Sequence, residues 1–381
     1  MRAFEFEACQ LPLEAQTLRQ EVRDFLSQSL GHYTISEKAK SWVGFDANFS
    51  AELGKKGWLG MTWPKPFGSG RSSLERYVVI EELLAFGAPV AAHWIAERQS
   101  GPLILRFGTE EQKNLYLPGI SKGESFFCIG MSEPGSGSDL ASIITHAAKH
   151  ADGWLLNGRK VWTTYAHKSH FMIALVRTSK TTEDRHAGLS QFIIDLSLPG
   201  ITIRPIRNMI GDEEFNEVTF DNLLVDDSML IGKEGNGWQQ VVAELAFERS
   251  GPDRFLSSYI LFREIIRILQ IDMSDSAVKT IGRLTAQLIT LRNMSLSVAA
   301  KIDSGKQPNI EASLVKDLGV AFEQSIPELA HELVDCSPRK LHGTEYQKSL
   351  AYVQQACVSF SLRGGTTEIL RGMVARGLGL R

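Results

Sequence analysis

The sequence predicts an α+β protein with several domains: helices first, then an all-β domain, then a helical bundle. Apolar residues recur with the helical period up to about residue 120, and short runs rich in β-branched and aromatic residues follow from about residue 125. The helical period returns after Gly235-Asn236-Gly237. The length of 381 residues allows two or three domains, because single cores stop growing at roughly 250–300 residues. We expect domains at 1–123, 124–235 and 236–381.

The first third of the sequence has the periodicity and the start signals of helices. Ser72-x-x-Glu75 and Thr109-x-x-Gln112 are capping boxes, in which side chains bond the free N–H groups at a helix start. Pro118 is expected to end the helix that Thr109 begins, because proline has no N–H to donate. An apolar stripe at the spacing i, i+4, i+7, i+8 and i+12 predicts an earlier helix and consists of Leu18, Val22, Phe25, Leu26 and Leu30.

The middle of the sequence carries short β-type runs separated by turn signals. Asn157-Gly158 stands between two of these runs, and this dipeptide is the strongest short signal for a hairpin turn. Strands recur without intervening helices, which favours a β-sandwich or barrel and argues against a parallel Rossmann sheet. We expect strands within Phe126–Ile129, Trp154–Leu156, Val161–Thr164, Phe171–Val176, Gln191–Leu196, Ile201–Ile206 and Val218–Phe220.

The C-terminal third reads as helices again. Several of them exceed the usual helix length, so a bundle is the natural packing. Gly251-Pro252 requires a kink or a restart, because proline cannot donate a helical hydrogen bond. The candidate helices lie near 238–250, 253–271, 274–303, 310–334, 346–361 and 366–378.

The composition excludes several classes of protein. Lys and Arg number 41 against 44 Asp and Glu, a formal charge of −3 without a basic stripe, which argues against nucleic acid as the main partner. The four cysteines form no C-x-x-C pair, and no HExxH, EF-hand or nucleophile-elbow motif occurs, so we expect no disulfide framework, metal site or hydrolase. Neither a secretory h-region nor a stretch of about 18 apolar residues occurs, so we expect no membrane span and a reducing, cytoplasmic setting.

Two segments of the predicted β domain could contact a ligand. Met131–Asp139 is dense in glycine and serine directly after a strand, which either lets backbone N–H groups approach a ligand or makes a plain Gly/Ser turn. It lacks the GxGxxG spacing because residue 140 is leucine, and it is not a P-loop because no Gly-Lys-Ser/Thr follows. Trp162 either packs in the core or offers its aromatic face, with a neighbouring hydroxyl, to a planar cofactor.

Two further segments lie in the predicted bundle. Glu248-Arg249 comes just before the break at Gly251-Pro252 and is either a solvated ion pair or a functional pair. Leu362–Ile369 is a glycine break that leads into a helix N-terminus, whose partial positive charge favours an anion. A simple connection between helices is the alternative for that segment.

Taken together and in this order, these segments resemble the acyl-CoA dehydrogenase family of flavoproteins over nearly the whole chain. Met131–Asp139 is similar to the family's Thr-Glu-Pro-x-x-Gly-Ser-Asp segment, and Asn157–Thr164 is the other specific stretch of the β domain. The tail Gly365–Arg371, with Ala375-Arg376 beyond it, is similar to the family's Gly-Thr-x-x-Ile-x-Arg ending. The family fold of an α-helical domain, a middle β domain and a C-terminal four-helix bundle matches the pattern described above.

The resemblance implies FAD as the cofactor and assigns contacts to single residues of the β domain. Met131 and Ser132 would contact the pyrimidine side of the flavin ring. Ser138 would lie near the FAD phosphates or the CoA end of the substrate. Trp162 would pack on the isoalloxazine, and Thr164 would hydrogen-bond near flavin N5.

The tail departs from the commonest family pattern at the catalytic base. Thr366 and Glu368 would touch FAD as in the family. The Glu that usually precedes the tail Gly-Thr is replaced here by Gly364, which cannot abstract a proton. Isovaleryl-CoA and long-chain acyl-CoA dehydrogenases carry the base on a bundle helix in a Leu-x-x-Glu-Arg context, which this sequence repeats. We therefore assign Glu248 as the base, Arg249 as the residue that orients it and contacts substrate, and Gly364 as the donor of a backbone N–H.

The resemblance implies α,β-dehydrogenation of an acyl-CoA thioester to the 2-enoyl-CoA. A carboxylate removes the α-proton while hydride leaves the β-carbon for the flavin, and the electrons then pass to an electron-transfer flavoprotein. The α-proton is barely acidic in water, so the family hydrogen-bonds the thioester oxygen to the FAD ribityl chain and a backbone N–H in a dry site. The alternatives are a non-catalytic partner subunit, which would need no base such as Glu248, and a flavin oxidase or monooxygenase of the same fold.

A second departure concerns the assembly of subunits. Family homo-oligomers place an Arg-x-x-Phe-Gly segment and a Gln-x-x-Gly-Gly-x-Gly segment against the neighbour's FAD. This sequence has neither motif near the corresponding places, where it has Lys279–Gly282 and Leu341–Thr344. This pattern is expected of one subunit in a heteromeric dehydrogenase, for example an α2β2 enzyme of steroid side-chain degradation, in which a partner completes the flavin pocket. The alternative is a divergent dimer or tetramer of identical chains. The acyl group, whether fatty or steroid, is not identified by the sequence.

Overall fold

The helices and strands follow the order that the hydrophobic pattern predicts. The computed structural model describes residues 4–179, 184–270, 273–334 and 343–380, and the side chains of 244–248 lie outside that description. The helices are α1 (Leu13–Leu30), α2 (Ile35–Ala39), α3 (Ala47–Lys55), α4 (Ser73–Phe86), α5 (Ala91–Ile95), α6 (Gly101–Phe107), α7 (Glu110–Ser121), α8 (Gly237–Glu248), α9 (Tyr259–Leu269), α10 (Asp275–Asp303), α11 (Asn309–Leu333), α12 (Glu345–Ala356) and α13 (Thr367–Gly377). The strands are β1 (Phe127–Gly130), β2 (His146–His150), β3 (Gly153–Thr164), β4 (Phe171–Arg177), β5 (Leu189–Asp195), β6 (Ile201–Ile206) and β7 (Phe215–Val225). The predicted fold class is confirmed.

Contacts between Cα atoms divide the chain into two units. The first consists of Met1–Phe45, Arg71–Val90 and Glu248–Arg381, and the second of Asp46–Gly70 and Ala91–Phe247. The first unit therefore contains helices from both ends of the sequence, and the second contains the sheet. The domain boundaries expected from the sequence stay a prediction.

Helix starts in the N-terminal third follow the predicted caps. Ser72 and Thr109 each accept a hydrogen bond from the backbone N–H three residues later, and both capping boxes are complete. The prediction that Pro118 ends its helix is wrong, because α7 continues to Ser121. The Pro118 carbonyl still accepts a 3.1 Å bond from Lys122 N, and Leu117 and Ile120 are buried in one core on either side of it. Burial of these side chains outweighs the one hydrogen bond that proline removes.

In the described residues, seven strands form one sheet in the order β1-β4-β2-β3-β7-β6, with β5 paired to β4. Most neighbours are antiparallel, but β1 and β4 run parallel, with Cys128 opposite Met172. Helices α6 and α7 pack against β1, β4 and β5 through a core that includes Leu103, Ile104 and Ile173. A second core on the sheet contains Trp154, Leu156, Phe192, Val218 and Phe220 among its members.

The prediction of a hairpin turn at Asn157-Gly158 is wrong, because β3 runs through both residues. The β2–β3 hairpin closes earlier, where His150 pairs with Gly153. The register to β7 shifts between Leu156 and Gly158, where two steps along β3 correspond to three along β7, so the extra residue of this bulge lies in β7, opposite Asn157. Gly158 has φ +145°, and a Cβ there would stand 2.5 Å from the Oγ1 of Thr145. Glycine is needed at this position for close approach to a neighbouring segment.

The first unit is a set of packed helices. The predicted stripe on α1 is confirmed, since Leu18, Val22, Phe25, Leu26 and Leu30 are all buried. Between α1, α4 and α10, acidic and basic side chains form a network in which Glu81 accepts bonds from Arg19 and Arg292, and Glu82 from Arg23. Helices from the N-terminal and the C-terminal parts of the sequence are therefore joined within the first unit.

The helix expected over 253–271 begins later than predicted. Pro252–Arg254 forms a 3₁₀ turn, and α9 starts only at Tyr259. The backbone N–H of Ser257 donates to the buried carboxylate of Glu323 at 2.6 Å, and the Ser258 hydroxyl donates to the Glu323 carbonyl at 2.9 Å. These bonds from α11 replace the local hydrogen bonds that a longer helix would make.

Within the described part of the chain, no helix is both long enough and apolar enough to cross a membrane. The same residues contain no group of three or more His, Cys, Asp or Glu side chains that could hold a metal ion. The cytoplasmic location stays a prediction.

The close packing of Gly158 against Thr145 leads to a prediction about stability. Gly158→Ala should lower the free energy of unfolding by at least about 2 kcal/mol, because the methyl group meets Thr145 and the backbone conformation disfavours alanine. Gly137→Ala is the control and should change it by less than about 0.5 kcal/mol, since a Cβ there meets nothing within 4 Å. Urea unfolding of the two variants measures the difference. Equal effects would show that Gly158 is not required by packing.

Candidate active site

The Met131–Asp139 segment is a tight turn laid along β3. Glu133 and Ser136 exchange two backbone hydrogen bonds of 2.8 and 3.0 Å, which close the turn. Val161 N donates to Ser132 O at 2.9 Å, so the start of the segment lies beside the end of β3. Gly135 and Gly137 meet no atom within 4 Å of their Cβ positions. These two glycines are therefore not required by packing within the chain, and the turn leaves its backbone open on that side.

A buried ion pair holds this turn. The Lys160 ammonium donates to Glu133 Oε1 at 2.8 Å and to the Met131 carbonyl at 3.0 Å, and both charged side chains are almost fully buried. The Glu133 carboxylate also accepts the N–H groups of Ile144 at 2.7 Å and Thr145 at 3.0 Å. The ion pair therefore joins the turn after β1, strand β3 and the segment before β2.

The environment shifts the pKa of both members of the pair. Burial alone would raise the pKa of Glu133, but the Lys160 ammonium and the bonds from Ile144 and Thr145 outweigh it and lower that pKa. Burial lowers the pKa of Lys160 to about 8, although Glu133 opposes the shift. Lys160 therefore carries its charge at neutral pH and loses it, with the ion pair, as the pH rises above about 8.

The end of β3 presents an aromatic side chain to solvent. Trp162 is 58% exposed and has φ 60°, so it is not a core tryptophan. Its neighbour Thr163 is buried, and Thr164 is half-buried. Phe215 of β7 supports the indole edge-on at 6.0 Å between ring centroids. Of the predicted residues, the structure brings Met131, Ser132 and Trp162 together here.

Ser138 lies at the far end of the turn and is exposed. Its neighbour Asp139 accepts bonds from Arg185 and from the Ser142 hydroxyl. A groove of about 750 Å³ borders the turn and is lined partly by Pro134–Ser136 and by Arg159. The turn therefore faces open space that a ligand could fill.

In the first unit, basic side chains bind the glycine break before α13. Arg249 is 5% exposed and donates from Nε to the Gly364 carbonyl at 3.2 Å. The ammonium of Lys316, fully buried in α11, donates to the Gly365 carbonyl. Both glycines have positive φ, at 68° and 98°. The left-handed conformation, which favours glycine, turns two successive carbonyls towards buried cations.

Arg254 occupies the space beside Gly364. A Cβ at residue 364 would stand 3.0 Å from Nη2 of Arg254, and this guanidinium is fully buried and paired with Asp253 at 2.9 Å. Next to it, Arg363 donates to the buried Glu323 at 3.0 Å. A larger residue at position 364 would therefore need the Arg254 guanidinium to shift by a few tenths of an ångström, in a backbone conformation that favours glycine.

Thr366 and Glu368 form the start of α13. Thr366 is the N-cap and accepts a bond from Ile369 N. Glu368 is exposed, and hydrogen bonds from its own backbone N–H and from the Thr366 hydroxyl lower its pKa. Glu248 is the last residue of α8, and its side chain lies outside the described part of the structure. Its contact with Arg249 stays a prediction.

Sequence reasoning missed Lys160 and Glu133. The signal for Lys160 was the alternation of β3, because residues 154, 156 and 160 share the buried face of the strand. A lysine at a core position of a strand indicates a buried partner, since an unpaired buried charge is too costly. The partner could not be read from the sequence.

The ion pair makes a second prediction. Lys160→Met should lower the free energy of unfolding by about 3–5 kcal/mol, because it leaves the Glu133 carboxylate buried without a cation. Arg159→Met is the matched control: its pair with Glu217 is half exposed, so we expect a loss below about 1 kcal/mol. The double variant Glu133→Gln/Lys160→Met should lose much less than the sum of the single losses. Additive losses in chemical denaturation would contradict a coupled pair.

Comparison with known proteins identifies the family of the chain. Residues 12–124 match the model of the acyl-CoA dehydrogenase N-terminal domain, and residues 128–223 match that of the acyl-CoA dehydrogenase middle domain. The acyl-CoA dehydrogenase IpdE1 of Mycobacterium tuberculosis is 31% identical over 96% of this chain and 98% of its own length. The acyl-CoA dehydrogenase FadE34 of the same organism is 33% identical over 86% of this chain, which spans only 45% of that longer protein.

Solved structures share the fold. The structure named Tcur3481-Tcur3483 steroid ACAD has a TM-score of 0.87 and 25% identity, and the match covers 98% of this chain and 99% of that one. Matching of the N-terminal and middle domains, together with a full-length relative, shows that the chain belongs to the acyl-CoA dehydrogenase family and is an oxidoreductase of that class.

Proposed function

We propose that the chain catalyses FAD-dependent α,β-dehydrogenation of an acyl-CoA thioester to the 2-enoyl-CoA, with Glu248 as the base. The observation that carries the proposal is the turn after β1, fixed beside the exposed Trp162 by the bond from Val161 N to Ser132 O. The family is generally FAD-dependent, which supports the choice of cofactor.

Two features of the β domain fit an FAD group. Gly135 and Gly137 leave open the space where side chains would stand, so a phosphate or ring could approach the backbone. The indole of Trp162 is available for packing on a flat ring because it is 58% exposed. When bound, FAD supplies the acceptor for the hydride that leaves the β-carbon. The residues that we assign to it are Met131, Ser132, Ser138, Trp162, Thr164, Thr366 and Glu368, and Ser138 also serves the CoA end of the substrate.

The choice of Glu248 is supported by the surroundings of Gly364. Position 364 carries no side chain, and both its positive φ and the nearby guanidinium of Arg254 disfavour a larger residue there. A base must therefore come from another element, and Glu248 ends α8 directly before the buried Arg249. In the proposed step its carboxylate accepts the α-proton of the thioester.

The glycine break would stabilise the charge that develops on the substrate. Arg249 binds the carbonyl of Gly364 and so helps to hold the backbone at this residue, and we assign the N–H of Gly364 to the thioester oxygen. Arg249 and Arg254 are buried cations in the same cluster, and positive charge in a dry site favours an enolate-like thioester oxygen. Arg249 thus contacts substrate in this proposal as well as orienting Glu248.

The proposed electron acceptor is an electron-transfer flavoprotein. The chain would act in an oligomer, and we favour one with a second, different subunit. Lys279–Gly282, in the first turns of α10, lacks the family's Arg-x-x-Phe-Gly segment, and the structure named for Tcur3481 and Tcur3483 pairs two components. Of the other departing segment, 341–342 lie outside the described residues, while Thr344 serves as the N-cap of α12.

The catalytic assignment predicts the effect of a single substitution. Glu248→Gln should lower kcat by about 10²–10⁴-fold, because the amide cannot take the α-proton, while the flavin spectrum and acyl-CoA binding persist. Glu234→Gln, an exposed carboxylate that precedes α8, is the control and should keep activity within a factor of a few. Single-turnover flavin bleaching by acyl-CoA measures the step. Turnover of Glu248→Gln close to that of the unsubstituted chain would refute the assignment.

The assembly is tested separately. The chain purified alone should hold well below one FAD per protomer, because a partner completes the site, and co-expression with the partner subunit should restore full occupancy. Flavin absorbance against protein concentration gives the ratio. Full and stable occupancy of the isolated chain would contradict a heteromer and favour a homo-oligomer.

A further inference from the structure

The strand end that carries Trp162 has an unusual backbone. Trp162 and Tyr165 both adopt the left-handed region, with φ 60° and 50°, and they bracket Thr163 and Thr164. This conformation is unfavourable for a residue with a side chain, so the surrounding structure must hold it in place. The path of this segment decides where the Trp162 indole and the Thr164 hydroxyl point.

A buried asparagine holds the middle of this segment. Asn216 of β7 is fully buried, and its Nδ2 donates to the Thr163 carbonyl at 3.0 Å. Its partner in strand pairing is Thr163, just past the shift in register at Lys160. Tyr165 N adds a bond to the Glu214 carbonyl at 2.7 Å. Asn216 thus adds a side-chain hydrogen bond to Thr163, its partner in the strand pairing.

The far side of the asparagine is bonded to a histidine. Asn216 Oδ1 lies 2.7 Å from Nδ1 of His167, whose ring is exposed. The amide must present its nitrogen to the Thr163 carbonyl, because the opposite orientation would set two oxygens against each other. Its oxygen therefore accepts, and His167 Nδ1 must carry the hydrogen. A ring with its hydrogen on Nδ1 therefore satisfies this bond.

We propose that His167 and Asn216 are positioning residues for the cofactor-binding segment Trp162–Thr164. The chain of bonds runs from His167 Nδ1–H to Asn216 Oδ1, and from Asn216 Nδ2–H to the Thr163 carbonyl. It fixes the left-handed backbone that exposes the indole and orients Thr164. The inference rests on the proposed function, in which this segment binds FAD.

A pair of substitutions at His167 tests the donor. His167→Ala removes the Nδ1–H group and leaves the buried Asn216 oxygen with one partner fewer. His167→Asn places an amide N–H near the Nδ1 position and should restore the bond. His167 is exposed, so neither change should move the melting temperature of the FAD-free chain by more than a few degrees.

Two readouts are needed. In the FAD-free chain, hydrogen exchange of the amides at 163–165 should be about five- to tenfold faster in His167→Ala than in His167→Asn, with strand β4 unchanged as the internal control. The dissociation constant of FAD, measured by flavin fluorescence on the full chain with any subunit it needs, should rise by a similar factor in His167→Ala only.

Each outcome decides the inference. Unchanged exchange at 163–165 in His167→Ala, or a His167→Asn variant as impaired as His167→Ala, would overturn the proposed bond chain. Faster exchange with unchanged FAD affinity would overturn the link to the cofactor. If the unsubstituted protein in its full assembly binds no FAD, the proposed function fails and this inference fails with it, whereas a deficit confined to His167→Ala leaves the proposed function intact.

Discussion

The turn after β1 and the exposed end of β3 depend on the buried ion pair between Glu133 and Lys160. An ion removed from water costs several kcal/mol, so such a pair persists only with good geometry and complete hydrogen bonding. Here the carboxylate also accepts two backbone N–H groups, and the ammonium binds the Met131 carbonyl. One point thus joins the turn after β1, the approach to β2 and the middle of β3. Ser132 and the exposed Trp162 take their positions from it.

Buried cations also hold the glycine break of the first unit, where they bind backbone carbonyls instead of a carboxylate. Arg249 and Lys316 donate to two successive carbonyls that only a left-handed backbone can turn towards them. Residue 364 has a positive φ, which favours glycine, and the guanidinium of Arg254 lies 3.0 Å from the position that a Cβ would take. A base at this position would need a strained backbone and a small shift of Arg254. The departure from the common family pattern therefore fits the local backbone, which supports a base elsewhere in the chain.

Signals that involve neighbouring residues were reliable, and those that compete with tertiary contacts were not. The capping boxes at Ser72 and Thr109 are local and were confirmed. The end of a helix at Pro118 was wrong because buried side chains carry α7 past it. Asn157-Gly158 has the composition of a turn, yet strand pairing with β7 continues through it and uses the glycine for close approach. The two capping boxes predicted their helix starts correctly because the hydrogen bonds of a cap form between residues close in sequence.

The sequence by itself determined the order of helical and β segments, the capped helix starts at Ser72 and Thr109, the glycine break before the last helix, and the absence of a side chain at residue 364. Each of these depends on residues within a few positions of one another. Only the tertiary structure decided which charges are buried together and that Trp162 faces outward. Lys160 meets Glu133, and Arg249 meets Gly364, across 27 and 115 positions of the chain. The free-energy cost of burying a charge depends on the groups that surround it in the folded protein, and the spacing of residues along the chain does not reveal those groups.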